Sequence, residues 1–186
     1  MLSYFTVIFL KKSVMAAFCG MAAALSVALM FAGSLFYVFA YAIPMLLGIV
    51  VFMINKTFGK GYAIYVFIAV SVLSMLFVPD KETALMYALF FGYYPIIKPY
   101  LEKIKVKWLS FILKLLIFNL SVLIIEILCV RLFNIPFFDD GVFSKSMLIF
   151  FAVTMNFCFV MYEGFLKNFK IIYERKIEPR IIKTLK

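Results

Sequence analysis

The sequence predicts an all-α fold, a polytopic membrane bundle of about six transmembrane helices with both termini in the cytoplasm. Three observations carry this reading. Hydrophobic residues make up 67% of the 186 positions and charged residues 15%. A soluble domain of that size cannot hide so much apolar surface, because its own exterior must be polar. Apolar runs close to the roughly 20 residues that cross hydrocarbon at a 1.5 Å rise recur along the whole chain. The cations then fall on alternate loops. No period-two pattern is present, so helices are expected rather than a barrel. No long polar linker divides the chain, so 1–186 reads as a single integral membrane domain.

Taken in order, residues 1–13 begin with MLSYFTVIFL, apolar but followed rather than led by Lys11 and Lys12. A secretory signal has the opposite order, so this stretch reads as an interfacial segment or an inward extension of the first span. The first span covers 14–33. It carries small residues at every fourth position: Ala16, Gly20, Ala24, Ala28 and Ala32. That spacing keeps them on one helix face. In lipid, tails do not push apolar helices together, so close backbone approach over small residues must do so. The ladder therefore reads as a surface gripped by another helix, of this chain or of a partner. The second and third spans cover 35–54 and 62–78. The fourth, 84–97, is the weakest: it is short, contains Gly92 and runs into Pro95 and Pro99. A tilted or broken span is expected there, tolerable only where neighbours satisfy its backbone. The fifth covers 109–132 and the sixth 146–166. The tail, 167–186, interleaves cations with Ile171, Ile172, Tyr173, Ile177, Ile181 and Ile182, which suits a helix on an anionic membrane surface, with Pro179 interrupting it. Docking to a cytoplasmic partner is the alternative for this tail.

The net charge of +10 reads as topology rather than as nucleic-acid binding. With the N-terminus inside, sixteen of the nineteen Lys and Arg residues fall on the inner side, and only Lys81, Arg131 and Lys145 on the outer. Six spans reconcile this with the inward bias of positive loops; an odd number scrambles it. The outer loops, Val78–Thr83 and Asn134–Gly141, are short and hold Asp80, Glu82, Asp139 and Asp140. Solvated loop charge is the simple reading of these acids, with a lid or a cationic ligand as the alternative; their spacing does not match a calcium loop.

The fifth span is the most polar. Asn119 and Glu126 lie seven residues apart and so share a face. Glu126 reads as the one carboxylate well inside a span, where a charge costs on the order of 2.5–3.5 kcal/mol by insertion scales. Two readings stay open: a polar wall of a ligand site facing outward, or a clamp tying the fifth span to the sixth through Asn156, with Thr154 close by. The aromatic run Tyr87–Pro95 offers ring faces for a flat ligand, Tyr87 being the better placed; Tyr93 and Tyr94 suit the interfacial aromatic belt. Cys19, Cys129 and Cys158 sit singly in apolar runs and read as small core side chains. The chain has no histidine, so zinc spacing and Cys–His catalysis are excluded within it. Phosphate-binding glycine loops, nucleophile elbows and HExxH are absent, as is a transporter-like internal repeat. No enzyme activity, cofactor, metal or nucleic acid is expected.

Lys11-Lys12, the following VMAAFCGMAAALSVALM and six spans in under 200 residues resemble the substrate-binding S component of energy-coupling factor (ECF) transporters over essentially the whole chain. The stretch PDKETALMYALFFGYYPIIKPYLEKIK is also similar to a group of small bacterial membrane proteins with the same outline. The ECF resemblance implies that Ala16, Gly20, Ala24 and Ala28 dock on a membrane coupling subunit carried by two ATPases. It implies a pocket toward the outer side, for which Glu126, Asn119, Asn156 and Tyr87 are the candidates, and uptake of a vitamin-like small molecule across the bacterial cytoplasmic membrane. The lack of histidine disfavours the nickel and cobalt members. The alternative is a structural membrane adaptor, similar to the small rod-shape-determining subunit of wall-elongation complexes, which uses the same bundle with no ligand.

Overall fold

A computed structural model describes residues 2–35, 41–133 and 145–177. Every regular element among them is helical: α1 (Leu2–Ser34), α2 (Ala42–Thr57), α3 (Lys60–Phe77), α4 (Lys81–Met86) prolonged by a π-helical turn (Tyr87–Phe91), α5 (Tyr94–Leu101), α6 (Lys107–Phe133), and α7 (Lys145–Ile172) prolonged by a second π-helical turn (Tyr173–Ile177). Among the described residues, three stretches are long and apolar enough to cross a membrane: Lys12–Ser34, Lys60–Phe77 and Lys107–Leu132. The second candidate span corresponds to α2, apolar but only 16 residues long. The outer loop with Asp139 and Asp140, and the tail beyond Ile177 with Pro179, lie outside the described residues.

The described residues gather into two compact units. The first holds everything up to Ile96 together with Ile171 onward; the second holds Ile97–Lys170. In the first unit, α1 turns Cys19, Ala23, Ser26 and Met30 inward at the three- and four-residue spacing of one helix face. Leu47, Val51 and Ile54 of α2 and Ala63, Val66 and Val70 of α3 complete that core. The α3 stripe is short or β-branched throughout, so backbones approach closely. Polar contacts lie inside it too: Ser74 Oγ donates to Met30 Sδ at 3.2 Å, and Ser26 Oγ to the Ala22 carbonyl at 2.7 Å. α1 runs unbroken from Leu2, so the N-terminal apolar stretch is continuous with the first candidate span. At a 1.5 Å rise, its 33 residues reach about 50 Å, well beyond the ~30 Å of a hydrocarbon core.

The turns of this unit are built by local chemistry. Gly59 adopts φ +94°, a conformation closed to side chains with a Cβ, and so reverses the chain from α2 into α3. Asp80 caps α4, accepting from the backbone N–H groups of Glu82 and Thr83 and from the Thr83 hydroxyl. Lys81 Nζ donates to the Met75 and Val78 carbonyls, each at 2.9 Å, and so satisfies orphan acceptors at the end of α3. Tyr41 donates to Glu82 Oε1 at 2.8 Å. Burial pushes the Glu82 carboxyl above its ordinary range; the Tyr41 hydrogen bond opposes this, and the charge of Asp80 adds to it.

The fourth candidate span is broken, as its glycine and prolines predict. Gly92 N–H donates to the Tyr87 carbonyl at 2.8 Å, an i to i−5 bond that widens the helix by one residue. The wider turn sends Tyr87, Phe90, Phe91 and Tyr94 all inward. Phe90 stacks on Tyr94 with centroids 4.8 Å apart. Tyr94 is thus a core residue rather than a member of an interfacial belt, because the extra residue rotates it away from the helix exterior.

In the second unit, Phe118 of α6 stacks on Phe159 of α7 at 4.9 Å and 18°. Ile125, Cys129 and Leu166 are buried with them. The opposite side of α6 is a continuous exposed apolar stripe: Ile112, Leu116, Leu120, Leu123 and Ile127. The basic tail starts as a direct continuation of α7. Its Tyr173 is part of the first unit, where the ring meets Phe52 edge-on and the hydroxyl pairs with Thr57. Lys56 and Glu174 pair beside it at 2.9 Å.

Candidate functional site

The small-residue ladder of α1 lies on the surface. Ala16, Gly20, Ala24, Ala28 and Ala32 are all exposed, while the buried stripe of the same helix (Cys19, Ala23, Ser26, Met30) meets α2 and α3. A Cβ added at Gly20 would touch nothing within 4 Å. Beside Ala16 and Gly20 runs an open groove of about 430 Å³, walled on the other side by Tyr62, Tyr65 and Ala69 of α3. A second groove, of about 280 Å³, lies between α1 and α2 and ends at Thr57 and Tyr173. The first unit therefore does not seal the ladder with its own helices.

The proposed ligand residues fall into three situations. Asn119 and Asn156 meet across α6 and α7 as a reciprocal amide pair. Asn119 Nδ2 donates to Asn156 Oδ1 at 2.9 Å, and Asn156 Nδ2 donates to Asn119 Oδ1 at 3.1 Å. The remaining amide hydrogens go one turn back along each helix, to Leu115 O and Ala152 O, each at 2.8 Å. All four N–H donors are consumed, and each amide oxygen accepts one bond. Thr154 likewise donates back to Phe150 O. Glu126 is partly buried and itself engaged. Tyr87 is fully buried in the first unit, with the Phe67 ring beside its own. The structure unites Asn119 with Asn156; Tyr87 belongs to the other compact unit.

The strongest electrostatic arrangement was not singled out by the sequence. Glu163 on α7 holds Lys98 through Oε2 at 2.7 Å and Lys114 through Oε1 at 2.5 Å. Lys98 also donates to the Glu163 carbonyl at 3.4 Å. Glu102 stands at 3.7 Å from Lys98, 3.8 Å from Lys114 and 3.8 Å from Lys170. Only 2% of the Lys98 side chain and 8% of the Lys114 side chain reach the surface. One carboxylate thus ties α5, α6 and α7 together. Two buried ammonium groups sharing one carboxylate make a structural pin across the three helices.

Comparison of the chain with protein families, with curated proteins and with solved structures finds no match.

Proposed function

We propose that this chain is a multi-pass subunit of the bacterial cytoplasmic membrane that works by docking the α1 ladder onto a partner membrane protein and carries out no chemistry of its own. The observation that carries this is the exposure of Ala16, Gly20, Ala24 and Ala28 on a helix whose other face is already buried. Exposed apolar stripes on α6 support the bilayer as its solvent. The charge bias assigns both termini to the inside.

Of the two roles raised by the sequence, the structural adaptor fits the side chains better. Asn119 and Asn156 spend their donors on each other and on their own helices, and Tyr87 is walled into the core, so three of the four candidate ligand residues already serve packing. Capture of a vitamin-like molecule for a coupling subunit with ATPases rests on Glu126, the remaining candidate, which lies two turns from Asn119 on the same helix face.

Substitution Gly20→Leu tests the docking role. Open space at this position lets the chain fold and insert, whereas a bulky side chain holds a partner backbone away. Affinity purification from solubilised membranes is expected to lose the wild-type partner with the protein level unchanged. Retention of that partner refutes docking through this face. Mass spectrometry of small molecules carried by the wild-type protein separates the roles: a stoichiometric ligand selects capture, and none selects the adaptor.

A further inference from the structure

We infer that the turn between α5 and α6 is a recognition surface for anionic phospholipid headgroups. The starting point is how the local charges divide. Two carboxylates lie near this turn, Glu102 and Glu163, and both engage Lys98, Lys114 or Lys170. What faces outward is predominantly cationic: Lys103, Lys105 and Lys107 are all exposed, and the exposed acid beside them, Glu102, is already shared by Lys98, Lys114 and Lys170. Among the described residues, no carboxylate pairs with any of the three. Lys107 opens α6, whose first turn carries no acidic residue, so its ammonium adds to the positive end of the helix dipole. Such crowding of positive charge is relieved by an anion from outside.

The apolar half of the same turn says what kind of anion. The lysines alternate with Ile104, Val106 and Trp108. Trp108 is 79% exposed, Val106 57%, and neighbouring Tyr100 52%. Lys103 Nζ sits 5.4 Å from the centre of the Tyr100 ring, so one cation is held against an aromatic face. A free inorganic anion gives these rings nothing to bury. A glycerophospholipid supplies both halves: a phosphodiester for the ammonium groups, and an interfacial zone where Trp and Tyr lose their cost of exposure. The turn is also held in place. Ser110 Oγ donates to the Leu101 carbonyl at 2.8 Å, and the backbone N–H of Glu102 donates to Lys98 O at 3.0 Å. The lysines are therefore presented on a fixed frame rather than on a loose linker.

This inference rests on the membrane-embedded reading but not on which partner α1 meets. Trp108 is the only tryptophan in the chain, so fluorescence excited selectively at tryptophan reports on this turn alone. The full protein is reconstituted in vesicles of zwitterionic phosphatidylcholine containing a minor fraction of brominated lipid, which quenches on contact. The brominated species is either anionic phosphatidylglycerol or phosphatidylcholine. Selective recognition enriches the anionic lipid around Trp108, so the phosphatidylglycerol arm is expected to quench severalfold more strongly. Substitution of Lys103, Lys105 and Lys107 by Gln is expected to make the two arms equal. Equal quenching by both lipids in the wild type overturns headgroup recognition and leaves an ordinary interfacial turn. Absence of quenching in both arms, with the protein still floating with the vesicles, overturns it in favour of a protein covering this face. Failure to float overturns the membrane-embedded reading itself.

Discussion

Glu163 keeps two ammonium groups at hydrogen-bond distance while only 18% of its own side chain is exposed. Removing that one negative charge leaves the buried Lys98 and Lys114 with only the more distant Glu102 carboxylate to offset their mutual repulsion. Breaking a buried pair by deleting one partner costs on the order of 3–5 kcal/mol. Glu163→Gln is therefore expected to lower the thermal midpoint of the detergent-solubilised protein sharply. Substitution of the exposed Lys105 by Gln is expected to leave it within error. This pin was hard to read from the chain. Lys98 and Lys114 lie 65 and 49 residues from Glu163 and register in the sequence only as positive-loop charge. The available signal was a lone acid near the inner end of the sixth apolar run. The Asn119–Asn156 pair was legible as one of two alternatives, because both are isolated amides in apolar runs, where an unpaired donor is costly. Which alternative holds depends on the register of α6 against α7, which no single-chain pattern encodes.

At the scale of elements, the broken fourth span shows how far glycine and proline can be read. Gly92, Pro95 and Pro99 announce the interruption, but the π-helical turn that makes it, and the inward rotation of Tyr94, depend on packing. The site is crowded. A Cβ at Gly92 would lie 2.6 Å from Phe67 Cδ2 and 2.9 Å from the Tyr87 carbonyl oxygen, and the second of these is backbone that cannot step aside. Gly92→Ala is expected to destabilise the protein by roughly 1–3 kcal/mol, the usual cost of overpacking, measurable as a lower unfolding midpoint. Gly61→Ala, at an α3 position where an added Cβ meets nothing within 4 Å, is the matched control and is expected to be neutral. In α1 the small-residue stripe was legible from its spacing of four, but whether it faced this chain or a partner stayed open, and the buried stripe of Cys19, Ala23, Ser26 and Met30 was not singled out. The length of the first helix was less legible, because Lys11 and Lys12 mark a boundary in hydropathy and not in the backbone.

For the whole molecule, the helical class follows from composition and from the absence of alternation, whereas the grouping of helices into two compact units has no counterpart in linker chemistry. Orientation is the prediction that belongs here. Pro79, beyond the end of α3, and Gly61, near its start, are both exposed, and the helix between Gly61 and Phe77 is about 24 Å long, a large part of one hydrocarbon thickness. In a background lacking Cys19, Cys129 and Cys158, a membrane-impermeant thiol reagent is expected to label Pro79→Cys on intact cells. Gly61→Cys is expected to be labelled only after permeabilisation. The reverse result inverts the orientation, and labelling of both on intact cells denies that α3 crosses.

The return of Tyr173 to Phe52 and Thr57 has a consequence for biogenesis. The Thr57–Tyr173 tie spans 116 residues, so it forms only when almost the whole chain has been made. Until the ribosome has passed position 173, the C-terminal end of α2 lacks its aromatic cover. A nascent polypeptide halted before that point would expose an unfinished patch to quality-control proteases, and the end of synthesis becomes the moment at which the first unit is closed.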